Sequence, residues 1–350
     1  MAAGIDERLT WIFGSSRSGS TWLLKMLSAV SGAVPVDDPH LGHHLGVWRP
    51  IPLAWATVNG DPPALTTLLE LKAAEPGYFF SERHRESWWQ PLRDLITTRF
   101  EAQASEHDLD PAEASYLVKE PGSHVAPMLT DLFPDSRVIF LLRDGRDVVD
   151  SWLAGYRDGG WAVPEGAFAV SDGGRIALLK WLSAVWVYRS HAVRRAFESH
   201  PARNRVLVRY EDLRADTVTV LTTICHSLGI DASLVEEVSH GFSFEGLPAS
   251  QRGPRLRQRA ARPGSWMQNM SNAEQAAMHE ALGDTLAEFG YRPWVPSGPA
   301  LDFTSVSDSS PASANSAGGG AHCSVVRCQE SDSANAAQNS DSPQAEQGQG

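Results

Sequence analysis

The chain has 350 residues, 42% hydrophobic and 21% charged, which suits one large domain with ample apolar surface for a core. Its formal net charge is −12; six acids and one arginine lie beyond residue 300, so the tail carries −5 and the body −7. An acidic body argues against nonspecific nucleic-acid binding, which needs a basic footprint, but not against a nucleotide held by local charge. Of the three cysteines, Cys225 lies in an apolar helical pattern and reads as a core thiol. Cys323 and Cys328 stand beside His322 in the polar tail, where three ligands on a loose segment make a poor metal clip. This usage fits a reducing compartment. The apolar run Leu9–Gly14 is too short for a signal segment, and no apolar run of about 18 residues occurs elsewhere. A soluble cytoplasmic protein without a transmembrane segment is expected.

In chain order, Leu9-Thr10-Trp11-Ile12-Phe13 is a short apolar run closed by Gly14, the pattern of a buried strand. Gly19 to Ala29 predicts a helix with Leu23, Leu24 and Leu27 on one face. Residues 30–115 are too long for a simple crossover and read as an inserted helical lid, with helices near Leu65–Lys72 and Ser87–Ala104. Its aromatics (Trp48, Trp55, Tyr78, Phe79, Phe80, Trp88 and Trp89) suit either a lid core or an acceptor pocket. A second strand begins at Tyr116-Leu117-Val118, before Lys119-Glu120-Pro121-Gly122 and a helix that Pro134 ends. Val138 to Leu142 is the third strand, followed by a helix from about Asp147 to Tyr156. Ile176 to Phe197 predicts a long amphipathic helix. Val206-Leu207-Val208 is the fourth strand, and Asn272 to Phe289 a last helix stopped by Gly290. Residues 297–350 are Ser, Ala, Gly, Asn and Gln with few large apolar side chains, and read as a disordered tail. The domain proper is therefore 1–296.

Short, fully apolar strands alternating with helices predict an α/β fold: a parallel sheet covered by helices on both faces, three-layered and P-loop-like. Ligands of such sheets sit at the carboxyl ends of the strands. The polar residues that end these strands should gather along one edge.

The turn Gly14-Ser15-Ser16-Arg17-Ser18-Gly19-Ser20-Thr21 aims backbone N–H groups and a helix N-terminus at one spot, an anion site by geometry. Triphosphate loops place lysine just before the final hydroxyl residue. Here Ser20 holds that place, and the cation is Arg17. The third strand ends in Arg143, where a triphosphatase would need a magnesium-holding aspartate. A nucleotide with several anionic groups, bound without metal, fits better than a kinase or GTPase substrate. In the cluster Arg143-Asp144-Gly145-Arg146-Asp147-Val148-Val149-Asp150-Ser151, Arg143 and Ser151 can share one phosphate if the loop folds back. Asp147 is expected to cap the helix and pair with Arg146. A plain surface network is the alternative for this cluster.

Together the two clusters resemble sulfotransferases that use 3′-phosphoadenosine 5′-phosphosulfate. That family has a loop like Ser16-Arg17-Ser18-Gly19-Ser20-Thr21-Trp22 for the 5′-phosphosulfate, and an Arg–Ser pair like Arg143 and Ser151 for the 3′-phosphate. Its Tyr-Glu-Asp-Leu segment resembles Tyr210 to Leu213, and its late Arg-x-Gly loop resembles the abbreviated Arg262-Pro263-Gly264-Ser265-Trp266. The resemblance implies that Trp22 stacks on adenine with Tyr210 nearby, and that Lys119 contacts the sulfuryl group; helix core remains the alternative for Trp22, and a rim pair with Glu120 for Lys119. Arg17 and Lys119 are the candidate catalytic cations for charge growing on the bridging oxygen. The sequence departs from cytosolic animal relatives at the catalytic base, where they carry Lys-Thr-His and this chain has Lys119-Glu120-Pro121. Other branches take the base from an acid after the first helix. That points to Asp38, with Glu120, His40 and His124 as alternatives. His40, His43 and His44 also invite a metal reading, which the donor chemistry does not need. The implied acceptor is a small molecule or lipid. The rival readings are a P-loop kinase or triphosphate binder, and an inactive nucleotide-binding scaffold.

Overall fold

The computed structural model describes residues 4–44, 77, 80–165, 169–243 and 262–293. The helix expected at Leu65–Lys72, the aromatics Trp48, Trp55, Tyr78 and Phe79, and the tail 297–350 lie outside the described residues.

Five parallel strands form one sheet in the order β2-β3-β1-β4-β5: β1 (Leu9–Phe13), β2 (Val34–Asp37), β3 (Tyr116–Glu120), β4 (Arg137–Leu142) and β5 (Arg205–Arg209). Four of these are the expected strands. The fifth, β2, falls within the stretch read as lid. It pairs with β3 from Val34 opposite Tyr116 to Asp37 opposite Lys119. Pro35 obscured it in the sequence, because proline is tolerated only on an edge strand, and β2 is an edge.

Side chains alternate between the two faces. Trp11, Phe13, Tyr116, Val118, Val138 and Phe140 point into one core. There they meet α3 (Arg85–Glu106), α4 (Ala126–Leu132), α5 (Gly145–Gly155), α6 (Arg175–Ser199) and α11 (Asn272–Glu288). Ile12, Leu117, Ile139, Leu141, Val206 and Val208 point the other way. They meet α1 (Ser20–Ser31), α8 (Thr217–Leu228) and α9 (Val235–Gly241). Both faces are covered, which is why the strands read as continuous apolar runs. Among the described residues there are also three short α-helices: α2 (Leu41–His44), α7 (Tyr210–Ala215) and α10 (Trp266–Asn269). A capping box, Ser271 with Glu274, starts α11, and Gly290 at φ 75° ends it.

Because all strands run the same way, their carboxyl ends share one edge. The loop after β1, Asp37, Glu120, Arg143 and Tyr210 all emerge there.

Candidate functional site

The loop after β1 is shaped by two glycines. A Cβ on Gly14 would stand 2.4 Å from the Leu141 carbonyl oxygen. Gly19 has φ 93°, and a Cβ there would meet the Tyr210 ring at 2.6 Å. Gly19 precedes α1 without any side-chain cap, which leaves first-turn N–H groups available to an anion. Ser18 Oγ is buried and has no hydrogen-bond partner. An orphaned buried hydroxyl inside an anion loop fits a ligand oxygen as its partner. Trp22 donates from its indole to the Phe242 carbonyl at 2.8 Å and lies edge-on to Tyr210, ring centroids 6.4 Å apart.

Arg17 adopts φ 74°, a left-handed conformation that costs a non-glycine residue on the order of 1–3 kcal/mol. Two neighbours hold it there. Arg143 donates to the Arg17 carbonyl at 2.8 Å, and Arg17 Nε donates to Ser151 Oγ at 3.1 Å. The Arg17 guanidinium also lies over Trp161, 4.7 Å from the ring centroid. Arg143 sits over Tyr210 at 4.2 Å, and its Nε is buried without a hydrogen bond. The loop and the Arg143–Ser151 pair, 134 residues apart at Arg17 and Ser151, are thus one cluster.

On the other side of the loop, Lys119 is 5% exposed and surrounded by oxygen. Its Nζ lies 2.7 Å from Thr21 Oγ1, 2.7 Å from Asp37 and 2.8 Å from Asp38. Its partners are therefore the two aspartates of the β2 end and not Glu120. Asp38 is part-buried with φ 53°, and His40, also left-handed at φ 54°, is exposed. Glu120 points inward at 1% exposure. Its oxygens accept from Leu41 N at 2.8 Å and Gly122 N at 2.6 Å. Burial pushes its carboxyl up to about 7, against the pull of those N–H donors and of Arg189. Glu120 thus pins the Leu41 and Gly122 backbones together. The His124 ring packs against Tyr188, centroids 6.1 Å apart.

The arginine–aspartate cluster differs from its expected pairing. Asp144, not Asp147, caps α5 and pairs with Arg146, at 2.9 Å to its N–H and 2.7 Å to its guanidinium. The cap position precedes the first helical residue, and three residues later the side chain turns inward. Asp147 accepts from Gly264 N at 2.7 Å and from Trp266 N and Ser265 Oγ at 3.4 Å. Burial pushes its carboxyl up. Arg146 lies over Trp266 at 4.7 Å. The late segment is therefore hung from α5, which also carries Ser151; Gly264 has φ 79°, and Arg262 is exposed. Sequence reasoning missed two further residues. Glu211 accepts from Asp144 N at 2.9 Å and from the Tyr291 hydroxyl at 3.2 Å. Arg189, on α6, donates to Ser16 Oγ at 3.4 Å. Its signal was present: it falls in the helical stripe of Leu182, Trp186 and Val193, where apolar residues belong.

Among the described residues, no three His, Cys, Asp or Glu gather as a metal site, and no helix is long and apolar enough to cross a membrane. The side chains of His43 and His44 and the tail residues His322, Cys323 and Cys328 lie outside the described residues.

Residues 10–233 match the family model described as "Sulfotransferase family". The chain belongs to the sulfotransferase family. Membership makes this sulfotransferase a transferase of that type, and its five-stranded parallel sheet has the P-loop-like arrangement expected. No curated protein matches the sequence. Among solved structures, a mouse sulfotransferase, SULT7A1, complexed with PAP, aligns at 14% identity over 80% of this chain and 85% of its own, TM-score 0.49. The sulfotransferase STF9 from Mycobacterium avium aligns at 14% identity over 83% and 78%, TM-score 0.45.

Proposed function

We propose that this sulfotransferase moves the sulfuryl group of 3′-phosphoadenosine 5′-phosphosulfate to a hydroxyl or amine of a small-molecule or lipid acceptor. Adenosine 3′,5′-bisphosphate is the second product. The observation that carries the reading is the Arg17 bridge, which joins an open helix N-terminus to the Arg143–Ser151 pair. A nucleotide with anionic groups at both its 3′ and 5′ positions matches two adjacent cationic positions. A triphosphate loop needs a lysine where this chain has Ser20.

In this reading the loop from Ser16 to Thr21 holds the 5′-phosphosulfate, and Arg143 with Ser151 holds the 3′-phosphate. Trp22 and Tyr210 take the adenine, and Arg262 and Gly264 roof the nucleotide from the segment hung on Asp147. An acceptor oxygen attacks sulfur in line. The bond from sulfur to the bridging oxygen breaks, and its electron pair remains on the 5′-phosphate. Lys119, beside Thr21, neutralises charge growing there. Asp38 takes the acceptor proton; it is part-buried at the strand edge, whereas the Glu120 oxygens are closed off by backbone. Residues 1–296 act as one cytoplasmic domain, with the acceptor side built partly from residues 30–115.

Calorimetry with adenosine 3′,5′-bisphosphate tests the donor assignment. Arg143→Ala should weaken it at least tenfold, or about 1.4 kcal/mol; unchanged affinity sinks the role of Arg143. A larger thermal shift with magnesium-ATP or GTP than with the bisphosphate favours triphosphate chemistry. Transfer of labelled sulfate from the donor to any member of an acceptor library eliminates an inactive scaffold.

A further inference from the structure

Arg189 is a cation that neither the fold nor the donor grip described above requires. It is half-buried on α6, on the same helical face as the buried Leu182, Trp186, Val193 and Ala196. Its guanidinium donates to Ser16 Oγ at 3.4 Å, and that hydroxyl in turn donates to the Pro121 carbonyl at 3.5 Å. Loss of hydration pulls Arg189 down to about 10, while Glu120 and Tyr188 push the other way. No carboxylate among the described residues stands within ion-pair distance of it. Glu120, the carboxylate that acts on it, is already bonded to Leu41 N and Gly122 N. A guanidinium carries five N–H donors in a rigid fork, and one of them is used here.

A desolvated charge with so little compensation is costly unless something pairs with it. Its position says what that something is. Ser16 contacts Pro121, in the segment that follows Lys119 and Glu120, whereas it is Arg17 that reaches the Arg143–Ser151 pair. In the donor reading, the 3′-phosphate goes to Arg143 and Ser151, so an oxyanion held against Ser16 belongs to the 5′-phosphosulfate.

We propose that Arg189 binds the transferred sulfuryl group, its free N–H groups donating to the sulfuryl oxygens beside Ser16. The inference rests on the donor reading above and adds a residue to it. Arg189 acts opposite Lys119: one cation steadies the group that moves, the other the oxygen it leaves. A planar fork suits a tetrahedral oxyanion better than a point charge does.

The donor and its product differ by the sulfuryl group alone, so the pair isolates the contact. Wild type, Arg189→Lys and Arg189→Gln are titrated by calorimetry without acceptor, once with intact 3′-phosphoadenosine 5′-phosphosulfate and once with adenosine 3′,5′-bisphosphate. Both variants should bind the bisphosphate within about twofold of wild type, which also reports an intact fold. Donor affinity should fall at least tenfold in Arg189→Gln and by less in Arg189→Lys, with kcat for labelled transfer falling in the same order. Equal losses for the two nucleotides in both variants make Arg189 a structural residue and overturn the proposal, as does unchanged donor affinity. A wild-type protein that binds neither nucleotide refutes the donor reading itself, before any variant is made.

Discussion

The two flanks of the β1 loop are built differently. On the Arg143 side, cations meet backbone and hydroxyls: Arg143 on the Arg17 carbonyl, Arg17 on Ser151, both over aromatic rings. On the Lys119 side, a cation meets carboxylates, Asp37 and Asp38, with Glu120 buried beneath. A cation stacked on a ring and bonded to a backbone carbonyl, as Arg143 is, has no carboxylate within the bonds shown to cancel it. A cation between two aspartates is locally cancelled until something competes with them. The first arrangement suits tight holding of a nucleotide, the second a place where charge and protons move.

That contrast can be broken at the loop itself. Gly14→Ala puts a methyl group on the Leu141 carbonyl, a backbone atom that cannot swing aside. It should cost about 1–3 kcal/mol of stability in a denaturant melt and abolish bisphosphate binding, so both flanks fail together. If it binds normally, the loop is looser than described. Lys119→Ala should separate the flanks: transfer falls roughly hundredfold while bisphosphate affinity stays within about threefold. Comparable losses in both would mean that the Lys119 side also holds the product.

The Lys119 flank also carries a pH dependence of its own. The Glu120 carboxyl titrates near 7 when folded and at the ordinary 4.5 when unfolded. Between those values the unfolded chain has lost this proton and the folded one keeps it, so stability falls as pH rises. The loss is complete above about pH 7 and amounts to at most about 3 kcal/mol. His191 and His200, both held below their usual range by burial, act in the opposite sense, so the readout is a difference. Melts of wild type and Glu120→Gln from pH 5 to 8 should show a less negative slope in the variant, even though the amide bonds the two N–H groups less well. Matching slopes would mean Glu120 is ionised throughout. The smallest effect belongs to the other flank: Trp161→Ala removes a cation–π contact of about 0.5–1 kcal/mol and should weaken the bisphosphate two- to fivefold, measured by calorimetry.

The flanks also differed in how far the sequence disclosed them. The loop, Arg143 and Ser151 were legible because glycine, hydroxyl and cation positions follow directly from strand, turn and helix spacing. Four strands were legible because both faces of the sheet are covered. The Lys119 flank was not, because β2 hides behind Pro35, and its end brings Asp37 and Asp38 to a lysine some 80 positions away. Asp38 was singled out, yet nothing in the spacing tied it to Lys119. Asp147 misled because either acid near a helix start can cap it; only the fold shows Asp144 in that place. Arg189 breaks the apolar stripe of its helix, but nothing in the spacing tied that break to Ser16, 173 positions away.

Asp147 draws a boundary that sequence similarity does not. The family match ends at residue 233, but the backbone N–H groups that satisfy this buried carboxylate belong to Gly264 and Trp266, and α11 beyond them closes one core. A chain released at the end of the match would leave a carboxylate in the interior with no donors and a hydrophobic face with no cover. The matched stretch is thus a unit of descent rather than a unit of folding. Nascent chains of this sulfotransferase cannot satisfy the Asp147 carboxylate until about thirty residues beyond the match have left the ribosome.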